Sequence, residues 1–484
     1  MIDLKNDNYK WIALSCTTIG ALVSIMSGGT LIVALPDIMK DLNTDMGTVT
    51  WILMGYMLIL TILVPSIGRS ADMFGRKKLY VGGFALFTIA SLLCAWSNTG
   101  MQLLIFRMIQ AIGGALMIAN STAIVADAFP KNELGKALSV NIMFISIGSV
   151  IGTILGGFLV TVGWRSIFYI NIPIGIIGTL WAAFQLKEIN SYSEKQKFDW
   201  LGILTFTAGM LSLLMALTLG SFSGWAHIEI IGLFGSAMVL MTAFVVIENK
   251  VAQPMLDMRL FKTRILAFAF ASNLFNGIAR GAVTFLMIFY FQGIKGNDPI
   301  TAGILLTPLA ISMFLISPIS GILSDKYDSR ILSSLGLLIS AVGLFGMIWI
   351  TESTSTIELI IWMSLIGTGS GLFFSPNSTS IFKAVPANKR GIASGVRTML
   401  NNAGNVLSIA ISMAIIATSV SPEAMQGLFL GTQVGSQGIA VGSFIGGLRL
   451  AFCISFGFSI LAAILSYMRG PAPKWQKTSC EKPA

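Results

Sequence analysis

Charge is scarce in this chain. Only 11% of its 484 residues are Asp, Glu, Lys or Arg, against 55% hydrophobic, and mean hydropathy is +0.81. No soluble core accounts for so much apolar sequence, which excludes a soluble fold. Histidine occurs once, at His227, and cysteine four times, at Cys16, Cys94, Cys453 and Cys480. Neither metal-ligand spacing nor a disulfide framework can be built from these. No phosphate-cradling G-x-x-x-x-G-K-[ST] loop is present, which argues against ATP hydrolysis as the energy source. The 21 Asp and Glu fall in loops, tails and helix ends. Without paired carboxylates at membrane depth, a membrane-embedded enzyme has no acid or base to work with.

What the chain does have is long apolar runs. A helix needs about 20 apolar residues to cross a bilayer core. Fourteen such stretches occur: 11–36, 47–67, 79–97, 101–128, 137–162, 167–186, 201–219, 227–247, 265–291, 301–323, 331–350, 359–382, 392–417 and 447–468. The reading is an all-α integral membrane protein with fourteen transmembrane helices. The first run is too long for a cleaved signal peptide and lacks a small-residue cleavage site, so it reads as a retained helix. The net charge of +10 reports topology, not a nucleic-acid partner. Of the 31 Lys and Arg, Lys40, Arg165, Lys295 and Arg449 fall on one side and Arg107 and Arg280 inside helices. The remainder are assigned to loops and tails of the other side, which by the positive-inside rule is cytoplasmic and holds both termini.

The helices group as six, two and six. Residues 1–186 are expected to form an N-terminal six-helix bundle, and 187–250 a cytoplasmic segment plus two inserted helices. Residues 251–484 are expected to form a C-terminal six-helix bundle and a cytoplasmic tail. A faint repeat relates the sixes: Gly68 and Asp72 precede a basic turn in the first, Gly321 and Asp325 in the second. Two related bundles around a shared cavity are a transporter plan with pseudo-twofold symmetry.

Gly68, Asp72, Gly75, Arg76 and Lys77 match a G-x-x-x-D-x-x-G-R-K loop. Arg107, Gln110 and Gly113 are close to R-x-x-Q-G-x-G, and Gly148, Gly152, Gly156 and Gly157 are close to G-x-x-x-G-P-x-x-G-G. The stretches 164–175 and 253–261 add further likenesses. On these motifs the chain resembles the major facilitator superfamily, in its fourteen-helix branch of drug:proton antiporters (multidrug efflux type). The resemblance implies a monomer in the cell (plasma) membrane that exports drug-like amphiphiles by alternating access. It implies no cofactor, the proton gradient being the drive. Three positions depart from it: Ser27 stands in place of a first-helix acid, Ile32 in place of an Asn, and Thr153 in place of a Pro. These changes count against proton-coupled export of cations.

An Arg at the bilayer centre costs about 3 kcal/mol on insertion scales, so Arg107 and Arg280 are expected to face the bundle interior or a wet cavity. Arg280 lies on a stripe with Asn273, Asn276, Gly277 and Thr284, and Arg107 with Gln110, Gly114 and Ser121. Helix thirteen aligns Asn401, Asn405, Ser408 and Ser412. With Ser27 and Trp51, the candidate substrate-binding set is Arg280, Arg107, Asn273, Asn276, Gln110, Asn401 and Asn405. Each arginine has a structural alternative, bonding to backbone carbonyls or a neighbouring helix. The conformational set is Gly68, Asp72, Gly75, Arg76, Lys77 and Asp127, with Arg76 expected to reach Asp127, and the four helix-five glycines for close packing. Asp37, Asp127 and Asp298 are the candidate proton carriers. A cavity with two arginines and no carboxylate should favour anionic, zwitterionic or neutral amphiphiles. Two functions compete: proton-driven export of amphiphilic or drug-like compounds, or export of organic anions, zwitterions or an endogenous metabolite with atypical or no proton coupling. The expected partners are the bilayer, a small amphiphile and protons, with no nucleic acid. A proton-pumping subunit would carry Lys and Glu in mid-helix, and a sensor an output domain.

Overall fold

The computed structural model describes residues 7–44, 46–130, 133–188, 199–251, 259–297, 299–386, 389–419 and 438–470. The helices in chain order are α1 (Asp7–Asp41), α2 (Met46–Phe74), α3 (Arg76–Ala95), α4 (Gly100–Ala128) and α5 (Leu134–Val162). They continue with α6 (Ser166–Tyr169), α7 (Asn171–Gln185), α8 (Trp200–Ser223), α9 (Ile228–Lys250), α10 (Arg259–Lys262), α11 (Arg264–Arg280) and α12 (Val283–Phe289). The last are α13 (Pro299–Lys326), α14 (Ser329–Met347), α15 (Thr356–Ala384), α16 (Arg390–Ser419) and α17 (Gly438–Met468). No strand occurs among the described residues. Several starts are capped by short polar side chains: Thr99, Asp199 and Ser355 accept from Gln102 N, Gly202 N and Ile357 N. Such caps satisfy donors that a helix leaves open at its first turn.

Among the described residues twelve helices are long and apolar enough to cross a membrane. Two other stretches expected to cross are also helical: α5, and α11 continued by α12. The run 265–291, read as one helix, is broken after Arg280. Gly281 and Ala282 form a turn there, and the Ser408 hydroxyl on α16 accepts from Ala282 N at 2.9 Å. A side chain inserted into the backbone ladder interrupts a helix. Arg280 therefore ends α11 instead of occupying mid-helix, and Thr284, beyond the break, is exposed and off the polar stripe. The basic residue Arg397, assigned to a loop by the charge reading, lies inside α16. Residues 252–258, Asp298 and the loop 420–437 lie outside the described residues, and so does the Asp72 side chain.

In the N-terminal group α1 packs on α5, and α4 on α2 and α3; in the C-terminal group α15 packs on α13 and α14, and α11 on α16 and α17. Helices α8 and α9 pack on each other, and α8 also touches α2 and α16. The two groups meet where α5 runs along α13 and α2 along α16. Glycine makes two of these approaches close. A Cβ on Gly152 would lie 3.0 Å from Met26 Cα and one on Gly156 2.8 Å from Thr30 Cα, with Gly148 facing Leu22 one turn earlier. Spacing by four on both helices keeps α1 and α5 in backbone contact. Gly157 points the other way, toward Ile300 on α13. Gly277 and Gly404 make the equivalent approach between α11 and α16, where a Cβ on Gly277 would sit 2.7 Å from Asn401 O.

Candidate functional site

The seam between α1 and α5 fixes the face that α1 turns to α4. Ser27, next to Met26, lies there and accepts from Arg107 Nη1 at 3.0 Å. The same nitrogen donates to Gln110 Oε1 at 2.6 Å, and Gln110 Nε2 donates to Ser91 on α3 at 2.7 Å. The Arg107 guanidinium lies over the Tyr56 ring at 4.3 Å, a cation–π distance. Arg107, Gln110 and Ser91 are all 0% exposed, so this centre is sealed. Arg107 Nε and Nη2 have no partner, and no ion pair to Arg107 occurs among the described residues.

The C-terminal centre is open. The Gly277–Gly404 approach brings Asn273, Asn276 and Arg280 of α11 beside Arg397, Asn401 and Asn405 of α16. Asn273 Nδ2 donates to Arg397 O at 2.7 Å. Arg280 and Arg397 are both partly solvent-exposed, as are Asn401 and Asn405, while Asn273 and Asn276 are buried. Among the described residues Arg280 has no hydrogen bond and no ion pair; its guanidinium lies 5.4 Å from the centre of the Phe374 ring on α15. Arg397 reaches Thr398 only at 3.5 Å. Arg280 Nε, Arg397 Nε, Asn273 Oδ1, Asn276 Nδ2, Asn401 Nδ2 and Asn405 Oδ1 are buried atoms without a partner. Buried polar groups are usually paired, and these six atoms have no protein partner among the described residues.

A third arrangement ties the helix groups together. Arg76, 5% exposed at the start of α3, donates to Asp127 Oδ2 at the end of α4. Asp127 Oδ1 also accepts from Arg390 Nη1, at the start of α16, at 3.1 Å. Arg390 bonds Ala126 O as well, and Thr122 on α4 bonds Ser394 on α16. Gly68 lies against Gly391 O, and Ser375 donates to Gly135 O at 3.2 Å. Glu188 closes the motif loop: its carboxylate accepts from Arg76 N at 2.9 Å and from Lys77 N at 3.1 Å, capping α3. Gly75 sits at φ 99°, where glycine is favoured, and a Cβ there would lie 2.6 Å from Glu188 Oε2.

Other candidates fall elsewhere. Trp51 packs against the apolar cluster of α2, α8 and α16 that includes Leu58, Phe206 and Ala403. Asp37 is exposed near the end of α1. At that same end Asp41 accepts from Trp164 Nε1 at 2.8 Å and Arg165 Nη1 at 2.6 Å, and these bonds hold its carboxyl below the usual range. Arg390, Arg397 and Glu188 were not singled out by the sequence. Arg397, a basic residue within an apolar run, carried a readable signal. Glu188 gave none, because its partners lie 111 and 112 residues away.

Comparison with known proteins identifies the family. The sequence pattern described as Major Facilitator Superfamily matches residues 17–409 and 269–482. The riboflavin transporter RibZ of Clostridioides difficile is 32% identical over 413 residues, covering 85% of this chain and 89% of that protein. Multidrug resistance protein 3 of Bacillus subtilis is 30% identical over 445 residues, covering 91% of this chain and 86% of that protein. Among solved structures, the human organic anion transporter MFSD10 superposes with a TM-score of 0.68 at 13% identity, covering 94% of this chain and 99% of that one. The proton:xylose symporter XylE does so with 0.64 at 15% identity, covering 95% of both. With helices that can cross the bilayer many times, and with named relatives that are transporters, the chain belongs to the major facilitator superfamily.

Proposed function

We propose that this protein exports amphiphilic, drug-like compounds by alternating access and proton antiport. It does so as a fourteen-crossing member of the drug:proton antiporter branch, in the plasma membrane, with both termini cytoplasmic. The two helix groups act as six-helix bundles that rock about the contacts of α5 with α13 and α2 with α16. One observation carries this reading. Bonds between the groups gather at the basic-loop end around Asp127, while a polar, partly solvated centre lies deeper between α11 and α16. Groups bonded to each other at one end, with partly exposed polar side chains deeper in the C-terminal group, suit access from the opposite side. The multidrug relatives support drug-like cargo. In this reading Asp127 is a latch, whose two arginines must let go before the protein opens inward. The test is purified protein in liposomes with a trapped pH dye. Compound-evoked proton flux is expected from wild type, and silence across cationic, neutral and anionic amphiphiles would sink antiport.

A second reading is favoured by the placement of charge. A proton carrier must be reached from both faces in turn. Asp127 is held at one end and Asp37 is exposed near the other, while Arg107, Arg280 and Arg397 lie between them in the helices. That distribution supports export of organic anions or a metabolite without a proton, and the riboflavin-transporting relative supports a metabolite as cargo.

A further inference from the structure

We propose that the α11–α16 seam binds the anionic head of the transported compound, an amphiphile bearing a single carboxylate or comparable oxyanion. This rests on the export reading and names its substrate class. Two arginines, Arg280 of α11 and Arg397 of α16, flank the seam, and neither has an ion pair among the described residues. Asn276 and Asn401 add amide donors without partners. Donors that converge where acceptors are few call for an acceptor-rich, negatively charged ligand. The backbones meet at Gly277 and Gly404, which fixes the two helices and the polar side chains they carry on either side of that contact. The Phe374 ring under Arg280 offers only its π face. The end of α11 gives Arg280 a partial negative charge from its last carbonyls, about half a unit shared within one turn. Arg397 lies inside α16 and has no such help. A partly buried cation that lacks a counter-charge carries a desolvation cost, and an arriving anion offsets it. Arg107 does not serve, because it is 0% exposed in this conformation.

The test uses the full protein in detergent and three ligands on one aryl-alkyl scaffold ending in a carboxylate, a primary amide or a trimethylammonium group. Calorimetry should show the carboxylate bound about tenfold or more tighter than the amide. Arg280→Gln and Arg397→Gln should each bring the two within about twofold of each other, and Arg280→Lys should keep part of the preference. Unchanged elution and unfolding temperature establish that the variants are folded. Equal binding of amide and carboxylate, no carboxylate binding, or a preference that survives both Gln variants would overturn the proposal. So would loss of the preference in chloride alone, since the occupant would then be an inorganic ion. Efflux of the same ligands from liposomes separates the claims. Charge-selective binding without efflux keeps the site and removes the export reading; efflux without charge preference does the reverse.

Discussion

Arg107 and Arg280 are the same residue in helices of the two groups, yet their surroundings differ. Arg107 is enclosed by Ser27, Gln110 and Tyr56, relayed to Ser91, and shut off from solvent. Arg280 ends a broken helix, lies against one aromatic face, and is partly exposed. The difference teaches that an intramembrane arginine is not by itself a binding residue. Its accessibility and the bonds it makes set the two apart. In the N-terminal group arginine is fully buried and bonded to Ser27 and Gln110. In the C-terminal group it is partly exposed and has no hydrogen bond among the described residues, beside the break where Ser408 bonds Ala282 N.

The largest expected effect breaks this contrast directly. Arg107→Ala empties a sealed site and strands Gln110 and Ser27, so it should lower stability by about 3 kcal/mol. Arg280→Ala loses no described hydrogen bond and should lower it by less than about 1 kcal/mol. Thermal unfolding in one detergent compares them, and equal losses would erase the distinction. Next comes Gly156→Leu, which must push α1 from α5 and draw Ser27 away from Arg107. A loss of about 2 kcal/mol is expected from such overpacking, and an unchanged unfolding temperature would show that the seam yields freely.

Asp127→Asn should act on opening more than on folding. Hydrogen exchange at residues 122–127 and 390–394 should speed up about tenfold, a shift of about 1.4 kcal/mol, while amides around Arg107 stay protected. Uniform acceleration would mean that the N-terminal centre is not sealed independently.

The smallest effect concerns Asp41, a carboxylate paired outside the membrane. Its folded pKa is depressed by Trp164 and Arg165. Its contribution is therefore present above the unfolded value of about 3.9 and is lost as pH falls through the lower folded value. Asp41→Asn should reduce stability by about 0.5 kcal/mol at pH 7, the scale of an exposed pair. Wild type and variant should converge once pH has fallen below the depressed folded value, and a gap that persists in acid would assign the effect to packing.

Much of the fold was legible because bilayer thickness imposes a length on apolar runs, and among the described residues twelve of the fourteen expected stretches are helices long and apolar enough to cross. The break after Arg280 was not legible, since its cause lies on another helix, at Ser408. Arg76 meeting Asp127 could be read from the motif, but Arg390 as second partner could not, because it joins positions 263 residues apart. Arg397 was absorbed into loop charge by the rule that assigns basic residues to one side. Placed in α16, it is a second partly exposed arginine with no ion pair among the described residues.

Arg107, Arg280 and Arg397 together give the empty protein a positive interior. If the rocking motion carries any of that charge through part of the membrane field, the move is worth up to about 2.3 kcal/mol per elementary charge per 100 mV. A bound monoanion cancels one of the charges. Empty and loaded proteins would then respond to voltage with different steepness. A polarised membrane would hold the empty protein, in the arrangement that brings these charges toward the cell interior, more firmly than the loaded one, so voltage would set how long it waits for cargo.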